Sequence, residues 1–267
     1  MSTSYLELSY FQVALAALLI LINGAISVAL RLGLHKKLAL AAVRTVVQLL
    51  LIGLVLQGIF SLSKWYLVLA LMLFMVVMAG YSAVRRTGRR YPGIWIDSML
   101  SIWASSWLIT GIALFGIVQV KPWFSPQYAI PLLGMILGNT LTGISLGLDR
   151  LGQELVSRRN EVDGLLALGA TRWEAAQRPV GSAVQTGMIP ILNSMMVVGI
   201  VSLPGMMTGQ LLAGVAPEQA VKYQVVIMFL IASATALGTV SVVLLGYRRL
   251  FSPRHQFLHD LMTDVDT

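Results

Sequence analysis

Few side chains in this sequence can bind a metal or move a proton. The 267 residues include three histidines (His35, His255, His259), eleven carboxylates, thirteen methionines and no cysteine. Imidazole, thiolate and carboxylate are the usual ligands for iron and zinc, whereas a neutral thioether suits a soft ion such as Cu(I). No lysine precedes a serine or threonine, so a nucleotide-gripping Walker A loop is absent. Neither a G-x-S-x-G elbow nor an H-E-x-x-H helix occurs. These absences point away from an enzyme and towards a protein that moves or anchors something. Two amides, Asn139 and Asn193, interrupt long apolar stretches, with Met135, Met195, Met196, Met206 and Met207 close to them in sequence. Such amides either satisfy a neighbouring helix or line a polar path. The methionines either pack or offer sulfur to that path, and these residues assign no particular metal.

The elements that position these groups are membrane spans. The chain is 57% apolar and 11% charged, against about 25% charged for an ordinary soluble domain. So few ionisable groups cannot cover a water-facing globule. Apolar runs of spanning length cover 9–30, 38–60, 65–84, 97–118, 128–147, 183–213 and 221–246. The expected fold is therefore an all-α integral membrane protein with seven transmembrane helices, forming one membrane-spanning domain over 1–267. The first run exceeds a signal-peptide core, and Glu7 rather than a basic residue precedes it. The sixth run is too long for a single crossing and carries Pro190 and Pro204, which predicts a kinked or broken helix.

Charge placement orients the spans. Fifteen of the nineteen basic residues fall in the segments after runs one, three, five and seven; Lys64, Lys121 and Lys222 lie on the other side, and Arg44 lies inside run two. This positive-inside bias puts the N-terminus outside and the C-terminus in the cytoplasm. The basic residues are spread over four loops and form no nucleic-acid stripe, so the expected partner surface is the lipid bilayer. Arg44 either snorkels or pairs with Asp97. The pair His255 and His259 is either a solvated tail feature or a metal pair on a tail helix.

The one sizeable hydrophilic loop, 149–182, shows amphipathic periodicity up to Leu168. Gly169 is a helix stop, and Thr171 is an N-cap for a second short helix, 172–178, before Pro179 begins the next span. Pro204-Gly205 is either a passive kink or a hinge. Gly134-x-x-x-Gly138 and Gly143-x-x-x-Gly147 allow close helix approach, within one chain or across a dimer.

The segment Asp163-Gly-Leu-Leu-Ala-Leu-Gly169-Ala-Thr171 resembles the docking loop of ABC importer permeases, with Asp163-Gly164-Leu165 in place of Glu-Ala-Ala. More broadly, Ile130–Asn139, Leu168–Thr171, Val198–Gln210, Lys222-Tyr-Gln224 and the tail motifs Tyr247-Arg-Arg and Ser252–Gln256 resemble the FetB-type permease family, over about Arg44 to Gln256. The resemblance implies the membrane half of an ABC transporter of a bacterial inner membrane, associated with iron export, with plant relatives linked to aluminium tolerance. It implies a permease homodimer that binds no cofactor itself, with ATP and Mg on a separate FetA-like cytoplasmic ATPase. Coupling would fall to Asp163, Leu165, Leu168, Gly169, Ala170, Thr171 and Arg172. The path would run past Asn139, Asn193, Met195, Met196, Met206 and Met207, with Pro204-Gly205 as hinge. An ATP-independent carrier and a non-transporting scaffold are the rival readings.

Overall fold

The computed structural model describes residues 9–62 and 64–264; Glu7 lies outside them. The chain divides into two compact units, 1–64 with 212–215, and 65–211 with 216–267. In the first, α1 (Tyr10–Ala29) and α2 (His35–Leu62) pack on each other. Ser9 opens α1 with a capping box to Gln12, which satisfies otherwise orphaned N–H groups. The turn between the helices uses positive φ at Arg31 and Gly33, and the buried Ser27 hydroxyl accepts the N–H of Leu34 at 3.0 Å. Leu18, Leu21, Leu49 and Leu54 stay exposed, as suits helices solvated by lipid.

The second unit contains α3 (Trp65–Arg85), α4 (Ile94–Gly111) continued by a π-helical turn over 112–117, α5 (Pro126–Ser157), α6 (Arg159–Ala167), α7 (Arg172–Val197), α8 (Gly205–Leu212) and α9 (Pro217–Leu250). Among the described residues, six helices are long and apolar enough to cross a membrane: α1, α2, α3, α4 with its π turn, α5 and α9. Helix α7 is not one of them. It begins with Arg172, Glu174 and Arg178 and carries Gln185, Thr186, Asn193 and Ser194 further on.

Helix α5 is the hub, packing on α3, α4, α7 and α9. Lipid tails are as apolar as leucine, so close van der Waals fit rather than water exclusion drives such packing. The tightest point is where α5 crosses α7. A Cβ placed on Gly187 would stand 2.6 Å from the Gly143 carbonyl oxygen and 2.6 Å from Thr239 Cγ2 of α9. Of the predicted packing glycines, Gly143 and Gly147 face Thr239 within the same chain, and Gly134 faces Met75. Gly138 faces nothing within 4 Å.

Two local expectations are corrected, and one of the two readings of the tail is set aside. Span five does not end at Gly147, because α5 continues ten residues beyond it, burying Leu148, Leu151 and Leu155 on one face. Residues 172–178 are not a separate short helix, since α7 runs unbroken through Pro179 to Val197. The tail around His255 and His259 is not an α-helix: His255 has φ +58 and sits in a turn closed by Ser252 and Gln256. The long sixth run does break. Helix α7 ends at Val197, Gly199 turns the chain at φ +83, and α8 restarts at Gly205 after Pro204.

Candidate functional site

The segment joining α5 to α7 forms a rigid elbow. Buried Glu154 is its anchor, taking Arg150 Nη2 at 2.5 Å, Arg158 Nε at 2.6 Å and the Ser182 hydroxyl at 3.2 Å. Glu161 then joins Arg158 to Arg178, both at 3.1 Å, and Val162 buries the inner face of α6. Helix α6 ends as the sequence predicts, with Gly169 at φ +91. The N–H groups of Ala170 and Gly169 donate to the carbonyls of Leu165 and Leu166, a Schellman closure that needs a left-handed residue. Thr171 caps α7 through a capping box with Glu174. The Thr171 backbone N–H and hydroxyl, both donating to the Glu174 carboxylate, hold it below the usual carboxylate range. That cap is therefore complete at neutral pH and is lost as pH falls through the lowered pKa.

Of the residues assigned to coupling, Leu168 projects furthest, 87% exposed, with Leu165 36% exposed beside it. Asp163 is spent on a half-exposed pair with Arg159. The C-terminal tail braces the elbow from behind: the Arg172 N–H donates to His255 Nδ1 at 2.9 Å, and Arg159 Nη2 lies 2.9 Å from His259 Nε2. A two-stranded ladder adds to this, β1 (Arg89–Arg90) pairing antiparallel with β2 (Thr263–Asp264). The histidines are therefore framework groups.

The second feature is a cavity of about 360 Å³ beside the break between α7 and α8. Met135, Asn139, Pro204, Gly205 and Met206, all singled out in the sequence, line it. A second cavity of about 260 Å³ holds Met195 and Met207 and shares Val198, Gln224 and Met228 with the first. Asn193 and Met196 are not brought to either cavity; both are on the exposed side of α7. Asn139 donates its amide N–H to its own helix, at Met135 O, 3.0 Å. The residue missed by sequence reasoning is Gln224, the only amide in run seven, which is 6% exposed with no hydrogen-bond partner at Oε1.

At the end of the bundle where α4 starts and α9 finishes, Asp97 accepts Arg249 Nε at 2.7 and 2.8 Å. The acid considered as Arg44's partner is thus engaged by Arg249. Gly93 makes room for the pair, since a Cβ there would stand 2.6 Å from the guanidinium carbon. Burial first, then the Asp97 charge, pushes the nearby Tyr91 hydroxyl upward, so it stays protonated. The two halves of the pair are unequal: Asp97 is 3% exposed and Arg249 41%. Removing Arg249 strands a buried carboxylate, at a cost approaching about 3 kcal/mol. Removing Asp97 leaves a cation that water can reach and costs about 1 kcal/mol. Thermal unfolding in detergent should therefore rank Arg249→Ala below Asp97→Ala; equal losses would contradict the assignment.

Long apolar helices, a broken element beside a cavity lined by methionines and amides, and a rigid, ion-paired elbow are those of a multi-pass membrane protein. The chain belongs to the family described as "Uncharacterised protein family (UPF0014)", whose model matches residues 10–251. It is 40% identical to a UPF0014 membrane protein of Synechocystis sp. over 227 residues, 85% of this chain and 88% of the relative. It is 32% identical over 248 residues to the Escherichia coli K12 protein named "Probable iron export permease protein FetB", covering 92% and 94% of the two chains. Over 244 residues it is 32% identical to the Arabidopsis thaliana protein "ALUMINUM SENSITIVE 3", covering 91% and 88%. No solved structure matches.

Proposed function

We propose that this chain is the membrane-spanning subunit of an ATP-driven ABC transporter of a bacterial inner membrane, exporting iron or a related metal species. Two copies would work with two copies of a separate FetA-like cytoplasmic ATPase, which binds the ATP and Mg. The observation that carries this reading is the elbow: a bare apolar tip, Leu168, held out on a framework fixed by Glu154, Gly169 and Thr171. Such a tip is what a motor cleft needs to grip, and the name of the E. coli relative supports the metal. In this reading α7, the break and α8 form a seventh membrane element, with the N-terminus outside and the C-terminus inside by the charge bias. ATP-driven closure pushes the Leu165–Glu174 region; the stiff α7 transmits the push to the break at 198–204 and to the cavity at Asn139. Pro204-Gly205 is the hinge.

Co-expression with the cognate ATPase tests the scheme. A stable complex of two permeases and two ATPases, counted by native mass spectrometry, with permease-stimulated, vanadate-sensitive ATP hydrolysis, is the expected result. Absence of association would favour an independent carrier. Association without transport-coupled turnover would favour a scaffold.

A further inference from the structure

The paired cavities contain an unusual set of donors for a metal path. Met135, Met206 and Met228 line the larger, and Met195, Met207 and Met228 the smaller. Gln224 stands in the wall common to both, nine-tenths buried, its Oε1 without a partner. Asn139 has its N–H turned back to Met135 O, which leaves its own oxygen as an acceptor. Neither cavity has a carboxylate, imidazole or thiolate in its lining. Every available donor is neutral: three thioethers line the larger cavity beside the amides of Asn139 and Gln224 and the hydroxyls of Ser194 and Ser202, and two further thioethers line the smaller.

Two independent physical arguments then select the occupant. Thioether is a soft ligand that favours soft ions such as Cu(I), whereas iron in either common oxidation state prefers harder oxygen and nitrogen donors. The second argument is charge. The Born cost of leaving water grows as the square of the charge, so a bare divalent ion costs roughly four times, and a trivalent ion roughly nine times, what a monovalent ion costs. A cavity that supplies no counter-charge can offset only the smallest of these. We propose that the methionine-lined cavities beside the α7–α8 break form a binding site for a soft monovalent cation, Cu(I) or its analogue Ag(I), held by the thioethers of Met135, Met206 and Met228 and the Gln224 oxygen. This rests on the reading of the break as the transport path and puts a soft monovalent cation in the place of iron as its substrate.

The test uses the full-length permease purified in detergent, with Ag(I) as the probe. Equilibrium dialysis should show saturable Ag(I) binding, with Fe(II) under anaerobic conditions at least tenfold weaker. In protein carrying ¹³C-methyl methionine, Ag(I) should shift the methyl resonances of Met135, Met206 and Met228, and of Met195 and Met207 less, leaving exposed Met78 of α3 unmoved. Met135→Leu/Met206→Leu/Met228→Leu should weaken Ag(I) binding at least tenfold, and Met78→Leu should leave it unchanged. Leucine nearly conserves methionine's volume; should the triple variant not fold, the three single variants read by the same dialysis decide the matter. Unchanged affinity in these variants, methyl shifts spread over all methionines, or tighter binding of Fe(II) than Ag(I) would overturn the proposal. Co-purification with the ATPase is scored on the same samples. A permease that binds its ATPase but not Ag(I) refutes the soft-cation site alone, and one that binds Ag(I) but no ATPase refutes the motor instead.

Discussion

Gly187→Ala is expected to destabilise the permease markedly, while Gly181→Ala, six residues earlier on the same helix, is expected to be neutral or slightly stabilising. The contrast arises from what each new methyl meets. At Gly187 it would lie 2.6 Å from the Gly143 carbonyl oxygen, a backbone atom that cannot rotate away, and 2.6 Å from Thr239 Cγ2. At Gly181 it would meet nothing within 4 Å. Overpacking of this kind costs about 1–3 kcal/mol, and the membrane offers no compensating gain from burying one more methyl. The removal of helical glycine favours alanine by nearly 1 kcal/mol, so that term acts alone at Gly181. The difference should appear as a lowered midpoint of thermal unfolding in detergent and a smaller folded yield for Gly187→Ala. Equal behaviour of the two variants would mean that α5 and α7 do not cross at Gly143.

That crossing shows where sequence legibility stops. The apolar runs locate six of the structure's long helices, α1 and α3 to within a residue at each end and the others with ends up to ten residues off, because a bilayer-length run of leucine, valine and isoleucine has one cheap conformation. Gly169 and Thr171 are likewise legible, since a left-handed turn and a side-chain cap are local devices. What hydropathy does not mark is a helix that continues into polar sequence. Leu148, Leu151 and Leu155 keep α5 on one buried face after the run of apolar residues has ended, and Glu154 is tied to Ser182 on α7. Pro179 reads as a boundary yet sits within a continuous helix, at the loss of one backbone hydrogen bond.

The site was legible in part for the same reason. Asn139 and the methionines stand out by type, and the break at Pro204 by its proline, so five of the thirteen residues lining the larger cavity follow from composition. Asn193 stands out equally, yet the turn of α7 puts it on the exposed side. Facing is a property of packing, and neither amide reveals it alone. Gln224 has a quieter signal, one amide in an otherwise apolar helix, and only its unpartnered burial gives it weight. The tail contacts of His255 and His259 join residues 83 and 100 positions apart, which no local pattern encodes.

Leu168→Asp should uncouple the motor while leaving the membrane fold intact. The side chain is 87% exposed, so its replacement falls among surface changes of less than about 0.5 kcal/mol in stability. The features that hold the elbow in shape, Glu154 with its arginines, Gly169 at positive φ and the Thr171 cap, are untouched. An apolar anchor in a partner's cleft is a different matter: hot-spot residues of this kind contribute about 2 kcal/mol or more to association, and a charge placed in the cleft adds a desolvation cost. ATPase affinity should fall at least tenfold, and permease-stimulated ATP hydrolysis with it. Thr171→Ala provides the graded comparison, loosening the start of α7 by about 1 kcal/mol without altering the tip. It should slow coupled turnover more than it weakens binding. Should Leu168→Asp bind and stimulate the ATPase normally, the elbow would not be the docking point, because no other side chain on it is nearly so exposed and apolar. Should it instead lower the unfolding midpoint, Leu168 would belong to the framework, and the push would have to enter α7 by another route.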